Sequence, residues 1–190
     1  KGSWMYTFGQ YGIDEIPLSR FLFLLNKGTN NQPIFNEEEN KIGIVAHNKI
    51  ITHNYSVEDI ECGTQKSRGH FQKIFREKIV LPNYQYKCAI TGIETVSLLT
   101  AAHIIRWADD KNKRLDPQNG ICLSKLVDKC FEDRLISIDE EYKISLSGEV
   151  QKDKKLYEEL IKYEGKKLDL PKAKVNYPKK EYLKNHRESA

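Results

Sequence analysis

No window of this 190-residue chain approaches the eighteen or more apolar residues that a membrane-spanning helix requires, which excludes a transmembrane reading. The four cysteines, Cys62, Cys88, Cys122 and Cys130, contain no Cys-x-x-Cys pair, which argues against a structural zinc knuckle. Reduced, buried thiols are expected instead, with Cys88 packed as a small apolar residue. Internal repeats and low-complexity tracts are missing, as is a visible secretory leader, so the expected setting is cytoplasmic. Lys1-Gly2-Ser3-Trp4, ahead of Met5, is set aside from the fold reading.

What is present is the composition of a globular protein, 39% hydrophobic and 31% charged, long enough for a small core with extensions at both ends. The net charge of +4 is unevenly distributed, since residues 151–190 carry twelve basic and seven acidic groups. Such a tail either attracts a phosphate backbone without regard to sequence or merely solvates the outer face of a helix.

Three regions follow. Residues 5–66 hold short apolar runs, Phe21 to Leu25, Ile42-Gly43-Ile44-Val45 and Ile50-Ile51, between Asn/Gly/Pro/Glu-rich turns, and read as hairpins more than helices. His47 and His53 lie there without a suggestive acidic partner. Residues 67–146 form the most readable part. Phe71, Ile74, Phe75 and Ile79 mark an amphipathic helix over 67–80, with Ser67 as a possible cap. An apolar run ending in His103, a polar loop, a second run Ile121-Cys122-Leu123, and then Leu126, Val127, Cys130 and Phe131 at helical spacing predict strand, loop, strand, helix. Residues 136–146 alternate as a small hairpin. Residues 147–190 form a basic helical tail, with a helix over 152–164 that turns Leu156, Leu160 and Ile161 inward and a last helical turn near 181–187.

The strand-loop-strand-helix unit brings together complementary chemistry. The neutral imidazole of His103 takes a proton, the amide of Asn119 orients, and the carboxylate of Asp128 holds a hard cation. Each has a plain alternative: a satisfied structural histidine, an Asn-Gly turn, and a solvated carboxylate favoured by the helix dipole.

Four segments in order, Cys88-Ala89-Ile90-Thr91-Gly92, Ala101-Ala102-His103-Ile104-Ile105-Arg106-Trp107, Arg114-Leu115-Asp116-Pro117-Gln118-Asn119-Gly120 and Phe131-Glu132-Asp133-Arg134-Leu135-Ile136, resemble the HNH nuclease family, in its bacterial standalone restriction-type branch. The resemblance covers roughly residues 67–145, and Leu168-Asp169-Leu170-Pro171 with the final Glu181 to Glu188 is similar to the tail that follows this core in standalone members. It implies an α+β chain with a ββα-metal core, a β-rich N-terminal extension for DNA recognition or dimerisation, and a helical C-terminal extension. It also implies a metal-dependent DNA endonuclease of restriction or defence type, acting on duplex DNA as a homodimer in the bacterial cytoplasm, with Mg²⁺ or Mn²⁺ as cofactor. His103 matches the general base. Asn119 matches the second motif position, which orients the base or binds metal. The third position falls on Val127 or Asp128, of which only Asp128 coordinates a cation, with Asp116 in reserve. Ala102 stands where several other branches place a metal ligand. Arg68, Arg76, Arg106, Lys113 and Arg114 are the candidate DNA contacts. Trp107 reads as a core or loop anchor. The other readings are a nucleic-acid-binding module with a degenerate site, or a nicking, homing-type or nonspecific nuclease.

Overall fold

The computed structural model describes residues 37–58 and 65–188, apart from the side chains of 37–40 and 65–67. The first correction falls at the N-terminal end. Where a hairpin was expected, Glu37–Ile51 is a helix, α1. Ile42, Ala46 and Ile50 recur every four residues and share one side, with Ala46 and Ile50 buried and Ile42 packed on the core. The apolar runs that look strand-like in sequence are thus parts of one helical stripe. Lys49 sits in the last turn of α1, favourable to the helix dipole. The helix stops where His53 adopts a φ of 53° and the Asn54 N–H reaches the Lys49 carbonyl at 2.8 Å. The run Phe21 to Leu25 and Cys62 lie outside the described residues.

Helix α2 comprises Gln65–Ile74, continues through a π-helical stretch, Phe75–Val80, and ends in a last turn, Leu81–Asn83. Ser67 therefore lies inside the helix. Within the π-helical stretch the Leu81 N–H reaches back to the Arg76 carbonyl. This wider turn lets three successive residues, Ile79, Val80 and Leu81, enter the core beside Phe71 and Phe75.

Strands β1 (Leu99–His103) and β2 (Gly120–Ser124) pair antiparallel, with Leu99 opposite Ser124 and His103 opposite Gly120. Helix α3 (Lys125–Glu132) follows directly and buries Val127, Cys130 and Phe131. It ends at Arg134, whose φ of 58° lets the Leu135 N–H bond the Cys130 carbonyl at 2.8 Å. This is the ββα unit, and α2 lies across its hairpin. Gly120 makes that close approach possible. A Cβ there would collide with Val80 Cγ2 and stand 2.8 Å from Phe75 Cζ.

A second hairpin, β3 (Ile136–Ile138) with β4 (Ile144–Leu146), and helix α4 (Lys154–Leu160) follow. Asp153 caps α4 by accepting the Lys155 and Leu156 N–H groups. Leu160 is buried, but Ile161 turns outward, 40% exposed, because the chain tightens to a 3₁₀ turn at Ile161–Tyr163. The last helix, α5 (Lys180–Glu188), doubles back onto the core. The Lys179 N–H meets the Gln118 carbonyl, and Arg187 reaches both the Ile138 carbonyl and Glu140. The architecture is α+β, and no helix among the described residues is long and apolar enough to cross a membrane.

Candidate active site

His103 closes β1 inside a three-sided bracket. Its ring stacks on Phe75, with centroids 3.9 Å apart and planes 16° from parallel, and meets Trp107 edge-on at 5.8 Å. On the third side Nε2 lies 3.1 Å from the Arg114 carbonyl oxygen. A carbonyl accepts only, so the proton resides on Nε2 and the lone pair on Nδ1. Nδ1 has no hydrogen-bond partner among the described residues and is not sealed from solvent. Burial pushes the pKa down to about 4, against the opposing effect of the Arg114 carbonyl. At neutral pH the ring is an uncharged proton acceptor.

Arg114 belongs to this bracket and not to a phosphate-binding surface. It is buried, donates to the Trp107 carbonyl at 2.9 Å and the Val57 carbonyl at 2.7 Å, and lies 4.9 Å from the Trp107 ring centre. Its side chain thereby anchors the loop that presents its own carbonyl to His103. Arg76 is likewise committed internally, to the Val96 and Leu99 carbonyls. Lys113 pairs with Asp110 at 2.8 Å and sits over Tyr182. Of the five candidate DNA contacts, Arg68 and Arg106 are the exposed ones, and Arg68 lies 6.0 Å from the centre of Trp107, at the edge of the bracket.

Asn119 is buried just before Gly120. Its Oδ1 accepts the Ile105 N–H at 2.7 Å, and its Nδ2 donates to the Ile105 and Lys113 carbonyls, both at 3.0 Å. With both ends of the amide bound to backbone, Asn119 braces the loop leaving His103 and is not placed as a cation ligand. Asp116 is also withdrawn from that role. Its carboxylate accepts the Gln118 N–H at 2.9 Å and the Tyr182 hydroxyl at 3.0 Å, which joins the loop to α5.

Asp128, in the first turn of α3, is half-buried, while Val127 beside it is fully in the core. Burial first, and Glu132 second, raise the Asp128 carboxyl to about 6, against the Thr100 hydroxyl and Lys129. Thr100 and Ala102 share a face of β1. On the face that meets Asp128, then, Ala102 contributes only a methyl group.

These observations bound any metal. Among the described residues, no three His, Cys, Asp or Glu side chains are grouped to hold an ion. Of the candidate ligands, Asp128 is the carboxylate not withdrawn into the loop, and burial leaves its charge undercompensated, which suits a hard divalent cation. Mg²⁺ keeps several waters and accepts one or two carboxylates plus substrate phosphate oxygens. The donor set fits a cation shared with substrate, not a preformed centre.

Sequence reasoning missed Phe75 as a neighbour of His103, because its place in an amphipathic stripe marks it only as core. The double role of Cys88 was also invisible. Its buried Sγ accepts the Thr91 N–H at 3.3 Å and the Ser124 N–H at 3.2 Å, tying the turn before β1 to the start of α3.

No curated protein matches the chain. Residues 88–139, which carry β1, the bracketed His103, β2 and α3, match the family model described as HNH endonuclease, and this segment is similar to that family.

Proposed function

We propose that this chain is a metal-dependent DNA endonuclease with His103 as its general base. The observation that carries the reading is the His103 ring, neutral at pH 7, with Nε2–H fixed by the Arg114 carbonyl and Nδ1 left open. Nδ1 takes a proton from the attacking water, whose oxygen bonds to phosphorus while the bond to the 3′ oxygen breaks and that oxygen takes a proton from solvent. The products are a 5′-phosphate and a 3′-hydroxyl. Asn119 holds the loop that carries the base, and Arg68 and Arg106 contact flanking phosphates. Asp128 would hold Mg²⁺ or Mn²⁺, which supplies charge neutralisation at the scissile phosphate. We assign the chain to restriction or defence in the bacterial cytoplasm, acting on duplex DNA as a homodimer whose two-fold symmetry matches the two strands.

The sparse donor set favours a second reading, a DNA-binding module with a degenerate site. Plasmid cleavage across a Mg²⁺ and Mn²⁺ titration separates the two. A nuclease nicks or linearises DNA with metal and not with EDTA, and Asp128→Asn raises the metal concentration needed for half-maximal cutting at least tenfold. Binding without cutting at any metal concentration establishes the module instead.

A further inference from the structure

We propose that Phe75 is a positioning residue for His103, and that the π-helical stretch and Gly120 exist at this place to seat it. The inference rests on the nuclease reading for its functional consequence and on geometry for its structural one.

Rotation of an imidazole about its last side-chain torsion is broad and roughly two-fold. A single hydrogen bond to the Arg114 carbonyl does not define the plane of the ring, and a ring that tilts out of line or turns over loses that bond, which frees the proton to move to Nδ1. The Phe75 face removes this freedom. Its ring lies 3.9 Å from the His103 ring at 16° and fixes the plane, and the Arg114 carbonyl then selects which nitrogen carries the proton. Trp107, at 87° to the imidazole, closes the edge.

The placement of Phe75 depends on two local departures from regular structure. Phe75 is the first residue of the π-helical stretch. On the opposite side, the residue paired with His103 across the hairpin is Gly120, where a Cβ would come within 2.8 Å of Phe75 Cζ. Gly120 has a φ of −120°, open to any residue, so the missing side chain and not backbone freedom is what the position requires. Helix and hairpin are thus fitted around one contact, the stack on the imidazole.

The test compares Phe75→Leu with Phe71→Leu, a substitution of an equally buried phenylalanine one turn earlier in α2. Imidazole ¹⁵N spectra at pH 7.5 report which nitrogen of His103 carries the proton, and plasmid turnover and DNA affinity are measured with each variant at matched folded fraction. The expected result is that wild type and Phe71→Leu show one Nε2–H tautomer. Phe75→Leu shows a mixture, and its turnover falls ten- to a hundredfold with DNA affinity within threefold. A single Nε2–H tautomer in Phe75→Leu overturns the proposal, as does wild-type turnover despite a tautomer mixture. If wild type does not cut DNA, the nuclease reading fails, and the tautomer spectra still decide whether Phe75 sets the ring.

Discussion

At the scale of single residues, the chemistry of His103 is set by what surrounds it more than by its own basicity. Burial disfavours the imidazolium and lowers the pKa from 6.5 to about 4, so the ring stays neutral well below pH 7. With saturating metal, kcat/KM should therefore hold on descending from pH 8 through 6, and the limb assigned to His103 should lie nearer 4 than 6.5. A pH–rate profile checks this, and a limb at 6.5 would mean a solvated histidine. Arg114 shows the same dependence on surroundings. Replacement by Ala strips the buried Val57 and Trp107 carbonyls of charged donors and should cost about 3 kcal/mol in urea denaturation, with cleavage impaired because the carbonyl facing His103 loses its anchor. Its chemistry as an arginine was plain in the sequence, but its burial was not. Residue type alone places guanidinium groups on phosphates, and nothing local to Arg114 or Arg76 says that backbone carbonyls wait for them in the interior.

At the scale of elements, the ββα unit was legible because its signals are local and unconflicted. Leu99 to His103 is a short apolar run, the loop is polar, and Val127, Cys130 and Phe131 recur at helical spacing. Helix α1 was not legible, since Ile42, Ile44 and Val45 crowd together as strand formers while the stripe that decides the matter runs through Ala46 to Ile50. The π-helical stretch had no sequence signal at all, because it arises from the fit of α2 against the hairpin. That fit gives a direct prediction. Gly120→Ala drives a methyl group into Val80 and Phe75 and should destabilise the protein by about 1–3 kcal/mol. Thermal denaturation measures the loss, and a second His103 tautomer should appear in parallel as Phe75 is displaced.

At the scale of the whole molecule, the C-terminal segment completes the core. Tyr182 bonds Asp116 in the loop before β2, and His186 stacks on Phe131 of α3 at 4.0 Å. Burial, with Arg134, Arg106 and Arg187 nearby, lowers the pKa of His186 to about 4 despite its bond to the Phe131 carbonyl. The consequence for stability has a definite sign. From pH 6.5 down to 4, the unfolded chain binds protons at His103 and His186 that the folded chain excludes, so each site removes about 1.4 kcal/mol per pH unit as pH falls. Asp128 acts oppositely between about 6 and 4, holding a proton in the folded state that the unfolded chain releases, and offsets one histidine. Stability should thus fall by about 2–3 kcal/mol from pH 7 to pH 5, measured by urea denaturation at each pH. Many basic groups of the tail pair with neighbouring glutamates, including Lys152 with Glu149 and Lys162 with Glu159. They are therefore weaker attractors of DNA than their number in the sequence implies. The central claim, that His103 is the base of a DNA-cutting site, is tested most directly by incubating supercoiled plasmid with the purified chain and with His103→Ala, each with Mg²⁺. The account predicts that the wild-type protein cuts and that the variant binds DNA with unchanged affinity while cutting at least a hundredfold more slowly. Equal cutting by both proteins would contradict it.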